Sequence, residues 1–130
     1  DPSLAAALLQ ATPKMMLRDL RTFGLLFESL VMRDLEIYAE AMEGTLYHYQ
    51  DYDGDDFDAV IQTPDDGWSA FEIKLDPEQV DEAARTLVRI ASKFKNNPPR
   101  ALAVIVGKSG LAYRREEDGV YVVPITALCA

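Results

Sequence analysis

The chain has 130 residues, 48% of them hydrophobic and 27% charged, and a formal net charge of −9. That balance suits one globular domain with a single core and argues against disorder. The acidic surplus repels a polyanion at long range, which makes the domain a poor candidate for a free-standing nucleic-acid clamp. It leaves room for a local basic groove or for a substrate delivered by another domain.

No apolar run approaches the roughly 20 residues of a membrane helix, so no membrane partner is expected. No basic stretch followed by an apolar one opens the sequence, so no secretory leader is expected. Cys129 is the only cysteine. An internal disulfide and a cysteine metal cluster are therefore both excluded, and a reducing, cytoplasmic compartment is expected. The first residue is Asp1 rather than methionine, so a piece of a longer chain is expected. Residues 1–130 read as a single domain, with 1–22 as an N-terminal helical segment.

In chain order, residues 3–10 form a short apolar segment. Thr12 reads as a helix N-cap with Pro13 at the first helical position. Leu20, Phe23, Phe27, Leu30, Val31, Leu35 and Tyr38 then recur every three to four residues, which marks one face of a long helix. Gly24 is a candidate kink or break, and Gly44 ends the helix. The period then changes. Strands are predicted over 46–49, 57–62 and 68–75, separated by the turns Asp53-Gly54-Asp55 and Pro64-Asp65-Asp66-Gly67. Asp76-Pro77 opens a second helix reaching about Phe94, with Val80, Ala83, Ala84, Leu87, Val88 and Ala91 as its buried stripe. Residues 96–100 are a loop. The apolar run 101–106 suits a strand buried on both faces. Segments 110–115 and 120–123 read as a hairpin around Asp118-Gly119. The predicted order is α, βββ, α, β, ββ, an α/β fold.

The hairpin of the second and third strands carries the chemistry. A turn centred on Asp65 sets Asp58 opposite Glu72 and Asp56 opposite Lys74. Opposed Cβ atoms lie about 4.5–5.5 Å apart. Alternation puts Ala70, Glu72 and Lys74 on one face and Phe71, Ile73 and Leu75 on the other, toward the core. Two opposed carboxylates destabilise a sheet pair, and a hard cation neutralises them. Mg²⁺ accepts one or two carboxylates with waters and phosphate oxygens. Lys74 is placed to hold an attacking water or to stabilise charge on a phosphate. Glu28 interrupts the apolar stretch of the long helix, where an unpaired carboxylate is costly. Packed on the sheet, it would reach the acid pair and serve a metal or orient Lys74.

These residues resemble a known pattern. Asp, a strand, Glu-x-Lys and a preceding helix with Glu look like the PD-(D/E)xK nuclease superfamily, with its restriction-endonuclease-like three-layer core. More narrowly, the chain resembles an uncharacterised domain found C-terminal to many bacterial and archaeal AAA-type ATPases. The matching segments are 23–31, Tyr47-His48-Tyr49-Gln50, 56–60 and Phe71-Glu72-Ile73-Lys74-Leu75. The resemblance implies a mixed sheet flanked by helices. It implies Asp58, Glu72 and the Ile73 carbonyl as ligands of Mg²⁺ or Mn²⁺, Lys74 as the catalytic lysine and Glu28 as a helix-borne acid. It also implies an AAA-type ATPase domain in the same chain and DNA or RNA as substrate. Gln50 stands where relatives often carry arginine, and Asp56 where they often carry glutamate. No Gly-x-x-x-x-Gly-Lys occurs, so this stretch is not itself the ATPase.

Plainer accounts stand beside these. Asp58, Glu72 and Lys74 would also form a surface salt-bridge ladder, and Glu28 would also cap a helix or pair with a cation. On the second reading of the whole chain, the domain is a catalytically silent interaction or regulatory module. Asp51-x-Asp53-Gly54-Asp55 reads as an acidic turn rather than a calcium loop, because its glycine comes too early and its twelfth position is Gln62. His48 has no second histidine with which to hold zinc. Arg85, Arg89 and Lys93, four apart, read as helix-internal pairing such as Asp81 with Arg85. Trp68 and Tyr52 read as hairpin packing.

Overall fold

The structure is a computed structural model that describes residues 20–128. The 3–10 segment, the Thr12-Pro13 cap, Cys129 and the side chain of Leu20 lie outside the described residues. Helix α1 spans Leu20–Ala41, and strands β1 (Thr45–Gln50), β2 (Asp56–Gln62) and β3 (Trp68–Lys74) follow. A 3₁₀ turn at Pro77–Gln79 leads into α2 (Val80–Ala91). Strand β4 (Ala101–Val106), the short β5 (Tyr113–Arg114), β6 (Tyr121–Pro124) and a last helical turn, α3 (Ile125–Leu128), complete the chain. Among the described residues no helix is long and apolar enough to cross a membrane.

The six strands form one mixed sheet in the order β1-β2-β3-β4-β6-β5. The β1–β2 and β2–β3 pairs are antiparallel. Strands β3 and β4 are parallel, as are β4 and β6, and β5 returns antiparallel to β6. The parallel insertion of β6 beside β4, and α3 after it, are not legible in the local sequence pattern.

Each face of the sheet carries its own core, which makes a three-layer fold. On one face Phe23, Phe27, Val31, Leu35 and Ala39 of α1 pack on Ala59, Ile61, Ile73, Ile105 and Ile125. On the other, Val80, Ala83, Ala84, Leu87 and Ile90 of α2 pack on Phe57, Val60, Trp68, Ala70, Val104 and Val122. The predicted α1 face is therefore correct at Phe23, Phe27, Val31 and Leu35, but Tyr38 is exposed and Ala39 takes its place. In α2 the predicted stripe is buried at Val80, Ala83, Ala84, Leu87 and Ala91, but Val88 is exposed and Ile90, on the other flank of the stripe, is buried instead. Strand β4 is buried on both faces from Ala103 to Val106, as its apolar run predicts.

Gly24 does not break α1, which runs unbroken through it. The helix ends in a Schellman motif. Gly44 N donates to Ala39 O at 2.8 Å and Glu43 N to Glu40 O at 3.0 Å. The left-handed position is Glu43, with φ 57°, not the glycine expected there. Gly44 answers to a different constraint. A Cβ on it would meet Gln62 O at 3.0 Å and Ile61 Cγ2 at 3.1 Å, so the chain enters β1 too close to β2 for a side chain. Glu43→Gly should consequently stabilise the fold by about 1 kcal/mol, the cost of holding a side chain left-handed. Urea unfolding of the two proteins measures the difference, and no gain would mean the turn relaxes to another conformation.

Tyr52 is fully exposed and packs on nothing, contrary to the expectation. Trp68 does pack, with ring centroids 5.0 Å from Phe94 and 5.9 Å from Phe57. Its Nε1 donates to Asn97 O at 2.8 Å.

Candidate functional site

The β2–β3 ladder runs from Gln62–Trp68 to Ala59–Phe71, the register that a turn centred on Asp65 predicts. It does not continue as an ordinary ladder to residues 58 and 56. On the other side of β2, Tyr47 pairs with Val60 but Tyr49 pairs with Phe57. Two steps along β1 therefore span three along β2, a β-bulge with its extra residue at Asp58 or Ala59. The packing shows the same break. Phe57 and Ala59, two apart, lie on opposite faces of the sheet, where strict alternation would put them together.

The bulge turns Asp58 into the gap between the strands. Its Oδ2 accepts the Ile73 backbone N–H at 2.8 Å, so a carboxylate takes the place of the next ladder carbonyl. The N–H and C=O of a strand residue point to the same edge, which aims the Ile73 carbonyl toward the same gap. Asp56 faces His48 rather than Lys74, with Nε2 to Oδ2 at 3.1 Å. That contact corrects the predicted Asp56–Lys74 opposition.

Glu72 follows Ala70 on the α2 face and is 7% exposed. Burial first, then the charge of Asp58 and a hydrogen bond with its side chain, push the Glu72 carboxyl up to about 8; Lys74 opposes this. The structure thus brings Asp58 and Glu72 together, as expected, in a geometry reached through a bulge. Lys74 is half-buried at the end of β3 and lines hollows on both faces of the sheet. Glu28 is an exposed residue of α1 beside Ile73 and Lys74. Partial burial and the Asp58 charge raise its carboxyl above the usual range, and Lys74 lowers it. The charges that act on Glu28 are those of Asp58, Lys74, Asp56 and His48. It therefore stands at the rim of the site, not in the costly buried position foreseen for it.

Among the described residues no three His, Cys, Asp or Glu side chains are grouped to hold a metal. What Asp58, Glu72 and the Ile73 carbonyl offer is a small, hard, all-oxygen donor set. That set fits Mg²⁺ or Mn²⁺, which take one or two carboxylates and keep several waters. The residues also fit in their electrostatics, since two adjacent acids resist joint ionisation and a cation between them removes the conflict.

Residues 23–128 match the family described as Domain of unknown function (DUF4143). The chain belongs to that family. No curated protein and no solved structure shows a match.

Two further charge clusters of this DUF4143 domain differ from their sequence reading. The acidic turn is held by the helix stripe. Lys93 Nζ donates to Asp51, Asp53 and Asp55 at 3.0, 3.1 and 2.6 Å, and Arg89 binds Asp55 with two hydrogen bonds. These cations hold the Asp55 carboxyl well below the usual range. Arg89 and Lys93 are thus spent on a loop 34 to 42 residues away rather than on helix-internal pairs. Asp81 joins Arg115 rather than Arg85. Arg115 is buried, and its Nε also donates to Asp118 at 3.0 Å. Sequence reasoning missed Arg115 altogether; the one local signal was an arginine three residues before the Asp118-Gly119 turn.

Proposed function

We propose that this DUF4143 domain is a divalent-metal-dependent hydrolase of nucleic-acid phosphodiesters, attached to an AAA-type ATPase domain of the same chain. One observation supports the reading above all. Glu72 is buried against Asp58 at the point where β2 parts from β3, with Lys74 two residues along the strand. The resemblance to PD-(D/E)xK nucleases, in Asp58, Glu72-Ile73-Lys74 and Glu28, points to the same chemistry.

In this reading Asp58, Glu72 and the Ile73 carbonyl would hold Mg²⁺ or Mn²⁺. When bound, the ion supplies positive charge to a phosphate oxygen and acidifies a water. Asp58 keeps its position through the Ile73 N–H, so it needs no rearrangement to act. Lys74 presents its ammonium to the attacking water and to the charge that develops on the phosphate. Glu28 steers that ammonium from the rim. DNA and RNA both offer the phosphodiester this arrangement would cleave.

The test is nicking of plasmid, single-stranded DNA and RNA with millimolar Mg²⁺ or Mn²⁺. Lys74→Ala should lose on the order of a hundredfold in rate. Cleavage unchanged by that substitution would remove the assignment. A second reading, a catalytically silent regulatory or interaction module of the ATPase, is favoured by the acidic rim. Glu28 and Asp76, together with Arg21, line one side of Lys74 and Glu82 the other, and Gln50 stands where the resemblance leads one to expect arginine. That reading predicts equal, negligible Mn²⁺ uptake by the parent and Asp58→Asn in calorimetry.

A further inference from the structure

We propose that the open edge of β1 receives an extended, basic segment of a partner protein as a seventh strand of the sheet. Strand β1 stands at the end of the strand order, and among the described residues it pairs with β2 alone. Its outer row of backbone N–H and C=O groups is a template for another strand. Proteins whose edges are not used for binding obstruct them with lysine, proline, inward charges or a bulge in the edge strand. The sequence Thr-Leu-Tyr-His-Tyr-Gln of β1 has no lysine, arginine, acid, proline or glycine. It is instead rich in residues that favour strands. The bulge of the β1–β2 pair places its extra residue on β2, so it does not bend the free edge away.

The two sides of this edge tell what the added strand would carry. On the α1 side lies a groove of about 460 Å³ between Met32, Glu36 and Glu40 of the helix and Leu46 and His48 of the strand. Glu36 and Glu40 are exposed and one helical turn apart, and no lysine or arginine lines the groove. On the α2 side a smaller hollow of about 190 Å³ is walled by Tyr47, Tyr49, Phe57, Trp68 and Phe94. Side chains of an added strand alternate between the two faces. Lysine or arginine at every second position would meet Glu36 and Glu40, and the intervening aliphatic or aromatic residues would meet the tyrosines. A second copy of this chain fits worse. Edge-to-edge pairing would bring two chains of net charge −9 together, and like charges oppose that union.

The experiment uses a fluorescent ten-residue peptide alternating lysine and valine, with a glutamate–valine peptide of equal length as control. Anisotropy should show saturable binding of the lysine peptide and none of the control. Amide exchange should slow at residues 45–50 when the lysine peptide is present. A Glu36→Gln, Glu40→Gln double variant keeps the fold, since both side chains are exposed, and should weaken binding by about fivefold or more. Equal binding of both peptides, binding without protection of residues 45–50, or an unchanged affinity in the double variant would overturn the proposal. Self-association through β1 in place of peptide binding would overturn it as well.

Discussion

Glu72→Gln should make the protein more stable at pH 8 to 9 by on the order of 2–4 kcal/mol, and should abolish most of the fall in stability between pH 4.5 and 8. The Glu72 carboxyl is pushed up to about 8 from an ordinary value of 4.5, by burial and then by Asp58. Between those values the folded protein holds a proton that the unfolded chain has released. Stability must therefore decline as pH rises through this window. The contribution is fully present below about 4.5 and is lost as pH passes 8. Glutamine keeps the shape and a donor toward Asp58 but has no charge to bury, so it removes the slope. Urea unfolding of both proteins from pH 4 to 9 measures it. Below pH 4.5 the two should agree closely. A parent curve that is flat between pH 5 and 8 would show that Glu72 is not buried against Asp58. The metal reading adds a second arm. Millimolar Mn²⁺ should raise the melting temperature of the parent at pH 8, because a ligand that binds only the folded state stabilises it. It should leave Glu72→Gln almost unmoved.

Phe57→Ala should cost about 3–5 kcal/mol, the range for truncating a buried aromatic side chain. Phe57 is fully buried. Its ring centroid lies 5.5 Å from Tyr49, 5.9 Å from Trp68 and 6.4 Å from Phe94. Truncation leaves a cavity that rigid neighbours do not close. The consequence for the site follows from position. Phe57 is the residue before Asp58 and packs on the α2 face, next to the bulge at which Asp58 accepts the Ile73 N–H. With the anchor gone, β2 is free to return to regular alternation, and Asp58 loses its fixed place. The variant should therefore lose Mn²⁺-dependent stabilisation along with stability. A loss below about 1 kcal/mol would mean that the aromatic cluster does not hold the strand.

The candidate site was partly legible because its members lie close together in the chain. Asp65, central among the five residues between Gln62 and Trp68, fixes the register of β2 against β3, and from that register Asp58 and Glu72 must approach each other. Local pattern does not reveal the mode of approach. Counting by twos carries Asp58 to a ladder position and pairs Asp56 with Lys74. The bulge that corrects both lies in the pairing of β2 with β1, outside the hairpin. Glu28 was drawn toward the site by a break in an apolar helix stripe. Its place at an exposed rim depends on how α1 lies across the sheet, which helical spacing does not set.

Charge pairing divides in the same way. The acidic turn at 51–55 and the basic stripe of Arg89 and Lys93 are each plain in the sequence. Their union is not, because any cation on the surface satisfies the same local rule and only the docking of α2 selects the partner. Arg115 is the extreme case, since its burial between Asp81 and Asp118 draws on two segments more than thirty residues apart.

The sequence by itself determined the two long helices and the six strands in their order, the two-sided burial of β4 and the convergence of Asp58 with Glu72. All of these follow from periodicity and turn chemistry that act within a few residues. Tertiary structure alone decided the insertion of β6 beside β4, the bulge at Asp58, the left-handed Glu43 and the partners of Arg89, Lys93 and Arg115. Each of those depends on which surfaces meet across the sheet, and burial and charge neutralisation are settled only when distant segments pack.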